Sequence, residues 1–273
     1  MLIQCLSMSY RFSLVLILTL LLVALLIRSV GVGYGSRIGF TYPDETKIVH
    51  RALRFASGDL NPHWFIYPSF MMYQEAALFG TTFAAGMLAG WFQSSHDFEA
   101  LFFTSPGTIY TLARWLSLAW ALFTIAATFL IGERLAGAQV GLLAAAMLTL
   151  SPLHVDYSHR AVTDVPMTAL MLFSIGCGLK AYSSGHLRWF IVAGLTAGLA
   201  ASTKYPGGVA AAIVPLAFFA RWPACARRVV SAVVDRKLWF GLLASPIGFA
   251  LGTPFALLAA PEFAYWLREL VRL

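Results

Sequence analysis

The sequence FSLVLILTLLLVALLI occupies residues 12–27 and contains no charged side chain. Apolar runs of about this length cross the ~30 Å hydrocarbon core of a bilayer as helices. A polar, proline-interrupted stretch, FTYPDETKIVHRALRFASGDLNPHWFIYP, follows at residues 40–68. A cleaved signal peptide also begins with such a run, but the many later apolar runs favour a retained first helix. The pair therefore predicts a membrane helix that leads into a loop outside the bilayer.

The composition places the whole chain in the membrane class. Of its 273 residues, 59% are hydrophobic and only 11% are charged, against about 25% charged in soluble domains. The mean hydropathy is +0.76. We therefore predict an all-α, polytopic bundle of transmembrane helices. In a membrane protein the net charge of +7 indicates topology and lipid contact first, and no nucleic-acid partner is predicted. The three cysteines are scattered and predict neither a disulfide framework nor a metal site.

Apolar runs between turn and charge signals divide the chain into spans of one membrane module, residues 1–273. The run 69–92 is long enough to cross, but Gln74, Glu75 and three glycines weaken it. It is predicted to be juxtamembrane or re-entrant. The seven predicted spans are residues 12–34, 111–131, 137–155, 165–182, 189–203, 207–220 and 238–258.

The basic segment 221–237 indicates the topology, because short loops rich in Lys and Arg stay in the cytoplasm. If 69–92 stays out of the bilayer core and the chain breaks at Lys204, this segment lies inside. Residues 40–68, 156–164 and Lys204 then share the outer face.

A rival count makes 69–92 a span and 189–220 a single helix, and it puts 40–68 and 156–164 on opposite faces. We favour the first count because 189–220 is too long for one span and contains Lys, Pro and two Gly. A helix of 15 residues before Lys204 reaches only about 22 Å, so Lys204 should lie recessed at the floor of a cavity.

Within residues 40–68, the sequence Pro-Asp-Glu-Thr at 43–46 is typical of a helix start, with acidic side chains at the positive end of the helix dipole. Apolar residues at helical spacing follow, and Gly58 predicts the end of the helix. The pattern predicts an amphipathic helix lying on the bilayer surface. The apolar stripe comprises Ile48, Val49, Ala52, Leu53 and Ala56.

Ionisable side chains at membrane depth are costly, so a cluster of them on one face indicates a functional site. Each member also has a purely structural interpretation. Asp44 and Asp164 are suited to helix N-caps, Lys204 to contact with lipid headgroups, Arg114 to an anchor at the interface, and the histidines to interfacial hydrogen bonds. The predicted outer-face cluster is Asp44, Glu45, Asp156, His159, Arg160, Asp164 and Lys204.

Several stretches together resemble the GT-C membrane glycosyltransferases, in particular the dolichyl-phosphate-mannose protein mannosyltransferase and lipid A aminoarabinose transferase group. The resemblance implies a membrane enzyme whose active site is built on the first outer loop. The stretches are PDETKIVHRALRFASGDLNPHWFIYPS at 43–69, ARWLSLAWALFTIAATFLIGERLAG at 113–137, GLLAAAMLTLSPLHVDYSHRAVTDVPMTAL at 141–170 and GLTAGLAASTKYPGG at 194–208.

The resemblance also implies roles for individual residues. Asp44 matches the acidic residue assigned as catalytic base, Asp164 matches a second acidic position, and Lys204 matches a cavity lysine near the lipid phosphate. The aminoarabinose branch has Lys-Pro where this chain has Tyr67 followed by proline. The chain also ends where relatives continue, so the C-terminal part of the family is expected to be missing. The predicted substrate-binding residues are Glu45, Arg160, Lys204, Tyr205 and Tyr67.

The predicted reaction moves a sugar from a polyprenyl-phosphate donor to an acceptor hydroxyl, with inversion, on the outer face of a bacterial inner or plasma membrane. The predicted partners are this donor, membrane lipid and an acceptor protein or glycolipid, such as lipid A or a cell-envelope glycan. The carboxylates of Asp44, Asp156 and Asp164 offer oxygen ligands suited to Mg²⁺ or Mn²⁺, but their spacing is not diagnostic of a metal. The alternatives are a transporter or lipid-translocating protein, or a truncated inactive module.

Overall fold

The computed structural model describes residues 10–35, 42–221 and 234–272. Within these ranges every regular element is helical, which confirms the predicted all-α class. Two 3₁₀ segments, Phe55–Ser57 and Tyr205–Ala212, supplement the α-helices. The α-helices are α1 Tyr10–Ser29, α2 Pro43–Arg54, α3 Phe70–Leu88, α4 Ser95–Thr104, α5 Pro106–Ala136, α6 Ala138–Leu150, α7 Pro152–Ser158, α8 Asp164–Ser184, α9 Leu187–Thr203, α10 Ile213–Ala220, α11 Arg236–Gly252, α12 Phe255–Leu258 and α13 Ala260–Arg272.

Three of the described helices are long and apolar enough to cross a membrane, namely α1 from Arg11, α5 and α8. A fourth span results if α6 and α7, which meet at a bend of 63°, are counted together. The chain is therefore an integral membrane protein, but the predicted count of seven is not established. At 17 residues, α9 reaches only about 25 Å, short of a ~30 Å core. Most of the basic segment 221–237 lies outside the described residues.

The chain breaks at Lys204, as the sequence predicts. Helix α9 ends at Thr203, and Lys204 is extended, with φ −153° and ψ 131°. The 3₁₀ segment from Tyr205 and then α10 follow as separate pieces. The interruption leaves a lysine side chain at the end of α9.

Helices α9 and α11 pack with their backbones in direct contact. Glycines line this seam on both helices, since a Cβ at Gly198 would collide with the carbonyl oxygen of Ser245, and one at Gly194 with that of Gly241. A Cβ at Gly248 would in turn meet the carbonyl oxygen of Leu195. Small residues allow such close approach between membrane helices. We call this contact the glycine seam.

Helix α2 forms where the sequence predicts it, but its apolar stripe contacts protein. Ile48 packs with Met71 and Met72 of α3, and Val49 packs with Phe79 and with residues of α5. Protein therefore covers most of the stripe, and the placement of the helix on the bilayer surface stays a prediction. The helix ends with a 3₁₀ turn and Gly58, whose φ of +91° is in the left-handed region that glycine favours.

Helix α3 corresponds to the ambiguous run 69–92, and it is not among the described helices that are long and apolar enough to span. Its start is joined to the end of α11. The backbone N–H of Ser69 donates to Oγ1 of Thr253 at 3.3 Å, and the Ser69 hydroxyl donates to the Gly252 carbonyl at 3.3 Å. From there α3 runs beneath α2 towards α5.

The loop after α2 is fastened to α13 by polar and aromatic contacts. His63 lies between two carboxylates, with Nε2 at 2.8 Å from Asp59 and Nδ1 at 3.0 Å from Glu262. The Asn61 amide donates to the other Glu262 oxygen at 2.8 Å. Beside them the ring of Phe65 meets Phe263 edge to face. We call Asp59, Asn61, His63 and Glu262 the His63 clasp.

Candidate active site

Three distant segments meet at one end of the bundle. Glu45 of α2 accepts a hydrogen bond from the backbone N–H of Ala161 at 2.9 Å. The Tyr205 hydroxyl donates to the carbonyl of Phe65 at 2.6 Å, which joins the chain after α9 to the first loop. These contacts exclude the rival count, which puts 40–68 and 156–164 on opposite faces.

An ion pair joins the end of α9 to the start of α8. Lys204 Nζ donates to Asp164 Oδ1 at 2.7 Å. The side chains are 27% and 34% exposed, so both are within reach of a bound molecule. Asp164 is the first residue of α8 and Thr163 holds the N-cap position, so Asp164 is not an N-cap. Its carboxylate is committed to Lys204.

Tyr67, at the end of the first loop, lies beside this ion pair. The Lys204 ammonium is 5.9 Å from the centre of the Tyr67 ring. Burial raises the pKa of Tyr67, and the negative charge of Asp44 raises it further. Lys204, Lys47 and Asp164 also act on the phenol electrostatically. Tyr67 therefore keeps its proton and offers a hydroxyl donor among the charged groups.

Asp44 is at the N-terminal turn of α2, with its side chain 50% exposed. Tyr42 holds the N-cap position, so Asp44 is not the cap. Its carboxylate accepts from Lys47 Nζ at 3.0 Å, one turn along the helix. Exposed pairs of this kind contribute about 0–1 kcal/mol, so an incoming substrate can displace the lysine at little cost. The carboxylate is therefore available for chemistry.

Glu45, the neighbour of Asp44, is fully buried, whereas the sequence predicts that it binds substrate. Arg114 of α5 donates to both of its oxygens at 2.8 Å, in a bidentate pair. The same guanidinium donates to the carbonyls of Val32 and Tyr34. Arg114 is 1% exposed, so the expectation of an interface anchor is wrong. The pair fixes the first turn of α2, and with it Asp44.

Arg160 is held against α2 by aromatic rings. Its guanidinium lies 4.2 Å from the ring centre of Tyr42 and 4.7 Å from that of Tyr157. It also forms an ion pair with Asp156, one turn back along the chain. Two of the predicted site residues are thus paired with each other, and Arg160 is only partly exposed.

Arg28, which is not among the predicted site residues, holds this corner of the site in place. It is fully buried and donates to the carbonyl of Thr149 at 3.1 Å and to the hydroxyl of Ser158 at 3.2 Å. Nδ1 of His154 is 2.8 Å from the Arg28 guanidinium. Nε2 of His159 is 2.8 Å from the backbone carbonyl oxygen of Arg28. The histidines therefore make structural hydrogen bonds. The place of Arg28 at the end of an apolar run gave no signal for burial, because an arginine there usually reaches out to the membrane interface.

The predicted metal ligands do not form a cluster. Each carboxylate is paired with a cation, Asp44 with Lys47, Asp156 with Arg160 and Asp164 with Lys204. Among the described residues, no group of three or more His, Cys, Asp or Glu side chains is placed to hold a metal ion. As they are arranged in the described structure, these residues do not fit a resident cation.

An apolar groove of about 430 Å³ lies below the ion pair, between α3, α5, α8 and α9. Leu170 is six residues along α8 from Asp164, and Thr196 is eight residues before Lys204, so the groove starts about 9–12 Å below the pair. The Trp120 indole donates to the Gln74 side-chain oxygen at 2.7 Å at its wall. The bundle thus has a charged site and, about 9–12 Å along the helices from it, an apolar groove.

No curated protein and no solved structure matches this chain significantly. The family described as dolichyl-phosphate-mannose-protein mannosyltransferase matches residues 98–251, which is more than half of the chain. That segment runs from α4 to the end of α11 and includes Arg114, Asp164 and Lys204. The chain belongs to the dolichyl-phosphate-mannose-protein mannosyltransferase family of GT-C membrane glycosyltransferases.

Proposed function

We propose that this chain transfers a sugar from a polyprenyl-phosphate donor to an acceptor hydroxyl, with inversion at the anomeric carbon. The family supports a glycosyltransferase that uses a donor of this type. The observation that carries the residue-level proposal is the grouping of Asp44, Asp164 and Lys204 around Tyr67, above an apolar groove. A lipid-linked sugar needs a polar site and an apolar channel next to each other.

Asp44 is the proposed base. As the acceptor oxygen attacks the anomeric carbon, the Asp44 carboxylate takes the hydroxyl proton. The bond from that carbon to the phosphate oxygen breaks, and its electron pair leaves with the lipid phosphate. The weak, exposed pair with Lys47 supports this role, because opening it frees the carboxylate without disturbing α2.

Lys204 is the proposed electrophilic partner. The leaving phosphate gains negative charge, which a fixed ammonium stabilises. Asp164 orients Lys204 through the 2.7 Å hydrogen bond, and the Tyr67 hydroxyl is the nearby neutral donor. Arg160 is a weaker candidate for the phosphate because it is already paired with Asp156. Tyr205 contributes its ring, since its hydroxyl is bound to Phe65.

The groove below the pair is the proposed seat of the first isoprene units of the donor. Its walls carry Leu116, Trp120, Phe123 and Leu170, which suit a hydrocarbon chain. A phosphate at Lys204 would leave its tail about 9–12 Å from the groove, within reach of the first few isoprene units.

We further propose that the site faces the outside of a bacterial inner or plasma membrane, with a protein, lipid A or another envelope glycan as the acceptor. A thiol-labelling experiment tests the sidedness. Cysteines introduced for Lys47 and Tyr157 should both react with an impermeant reagent added outside. Cytosolic labelling at Tyr157 alone would contradict a common outer site.

The decisive experiment presents membranes containing the protein with a panel of polyprenyl-phosphate sugars and separately radiolabelled acceptor fractions. We expect transfer from one donor, and loss of transfer in Asp44→Asn with unchanged membrane insertion. Full transfer by Asp44→Asn would remove the base assignment. Absence of transfer from every donor in the panel would overturn the proposed function.

A further inference from the structure

Glu75 of α3 is a buried acid that the proposed mechanism does not use. Its side chain is 0% exposed. Neither carboxyl oxygen has a hydrogen-bond partner among the described residues. A buried ionised carboxylate without a partner costs several kcal/mol, so such a group is normally neutral. Glu75 thus lies on the helix that packs against α2, which carries Asp44.

The charge balance around Glu75 leaves no cation for it. Glu45 is the carboxylate whose charge acts on Glu75, and Arg114 already binds both oxygens of Glu45. The third guanidinium nitrogen of Arg114 is committed to the carbonyls of Val32 and Tyr34. One buried cation thus serves one of two buried acids. Burial raises the pKa of Glu75 well above its ordinary value, and the charge of Glu45 adds to the effect.

The other ionisable groups that reach α3 do not alter this balance. Tyr110 of α5 lies in the same electrostatic neighbourhood as Glu45, Glu75 and Arg114. His50 of α2 is bound to the Tyr110 hydroxyl at 2.9 Å. From the end of α9 comes Lys204, which is paired with Asp164.

We propose that Glu75 is a positioning residue that holds a proton, and that its neutral form leaves Arg114 entirely to Glu45 and so keeps Asp44 in place. Loss of the proton would set a second anion beside the Glu45–Arg114 pair. The repulsion and the competition for one guanidinium would loosen the first turn of α2, which carries Asp44. Transfer would therefore fall at alkaline pH although Glu75 touches no substrate. This inference rests on the proposed transferase function.

The test compares the wild type with Glu75→Gln, which copies the neutral acid, and Glu75→Met, which removes the polar group at similar length. We expect the infrared carbonyl band of a protonated carboxylic acid in the wild type, and its loss in both variants. At neutral pH, kcat/KM of Glu75→Gln should stay within about twofold of the wild type. Above the pKa of Glu75, the wild type should lose about tenfold per pH unit, and Glu75→Gln should lose this alkaline limb.

A readout without activity separates this proposal from the transferase assignment. A fluorophore on Thr46→Cys, in a background without the three native cysteines, reports the mobility of the first turn of α2. We expect this mobility to rise at alkaline pH in the wild type and to stay constant in Glu75→Gln. The proposal is overturned if the wild type shows no alkaline loss of activity, or if Glu75→Gln shows the same loss. It is also overturned if the infrared band of the wild type persists in the variants. Failure of all donors alone would overturn only the transferase function.

Discussion

Lys204 and Asp164, 40 residues apart in sequence, are joined by a hydrogen bond of 2.7 Å at the point where α9 ends and α8 begins. The two helices are antiparallel neighbours, so the contact sets the height of the ammonium at the rim of the bundle. A lysine that interrupts an apolar region at this depth needs an anionic partner. Asp164 supplies this partner, and a lipid phosphate can bind the same ammonium.

Replacing Lys204 by Met should lower kcat by about 10²–10³-fold, the usual effect of removing a donor that stabilises developing charge. Asp164→Asn should lower it less, because the ammonium remains but is less well oriented. The measurement is initial-rate kinetics with a defined donor. Lys180→Met is the matched control, since that lysine stacks on Trp189 at the far end of α8 and should leave kcat unchanged.

Asp44→Asn should reduce kcat by at least about 100-fold, because the amide cannot accept the acceptor proton. The change also breaks the ion pair with Lys47. Lys47→Met breaks the same pair and keeps the carboxylate, so it should retain most of the activity. Equal losses in the two variants would mean that the ion pair matters and that the base does not.

Arg114→Met should destabilise the protein by about 3–5 kcal/mol, because it leaves the buried Glu45 carboxylate without a cation. Glu45→Gln should cost a similar amount, and the double variant less than the sum of the two. Thermal unfolding in detergent measures these changes. An additive double variant would contradict a direct pair.

The His63 clasp should loosen as the pH rises. Its two carboxylates raise the pKa of His63, so the stabilisation is complete below the ordinary value of 6.5 and is lost as the pH rises through the raised pKa. Hydrogen bonds from Asn61 and His63 lower the pKa of Asp59, so its contribution is present above the ordinary 3.8 and fades as the pH falls through the lowered value. Hydrogen exchange of α13, corrected for the intrinsic rate, should show the alkaline loss.

His63→Asn should remove the pH dependence of α13 exchange near neutrality. His96→Asn provides the control, because His96 is an exposed histidine of α4 whose acidic partner, Glu99, is on the same helix. A pH profile that persists in His63→Asn would assign the effect to another group.

Gly198→Ala should destabilise the bundle, because its Cβ would collide with the carbonyl oxygen of Ser245 across the glycine seam. Backbone cannot yield as a flexible side chain can. Gly80→Ala is the control, since a Cβ there meets nothing within 4 Å and alanine favours a helix by about 0.5–1 kcal/mol. The midpoint temperature of thermal unfolding should fall in Gly198→Ala and rise in Gly80→Ala.

Local signals in the sequence predicted the features that depend on neighbouring residues. Proline, acidic residues and glycine marked the start and end of α2, and the lysine-proline pair marked the break after α9. The meeting of Asp164 with Lys204 followed from counting spans. These predictions succeeded because helix starts, breaks and faces are short-range properties.

The partners of buried charges were not predicted, because one sequence does not reveal which distant residues meet. Glu45 was assigned to substrate, although it lies three and four residues before Ile48 and Val49 on the same helix face. That spacing was the available signal for burial. Arg114, 69 residues away, had no such signal. The count of seven spans stays a prediction, because among the described helices only α1, α5 and α8, with α6 and α7 taken together as a fourth, are long and apolar enough to cross a membrane.

The glycine seam has a consequence for how the enzyme can admit its substrates. Two helices whose main chains touch cannot slide or part without losing contact along their whole length, so α9 and α11 form one stiff beam. Lys204 and Thr253 stand at its tip, and Thr253 in turn holds Ser69. We therefore expect Lys204 to keep its position while substrates enter and leave, because the pair of helices that carries it moves as one rigid unit.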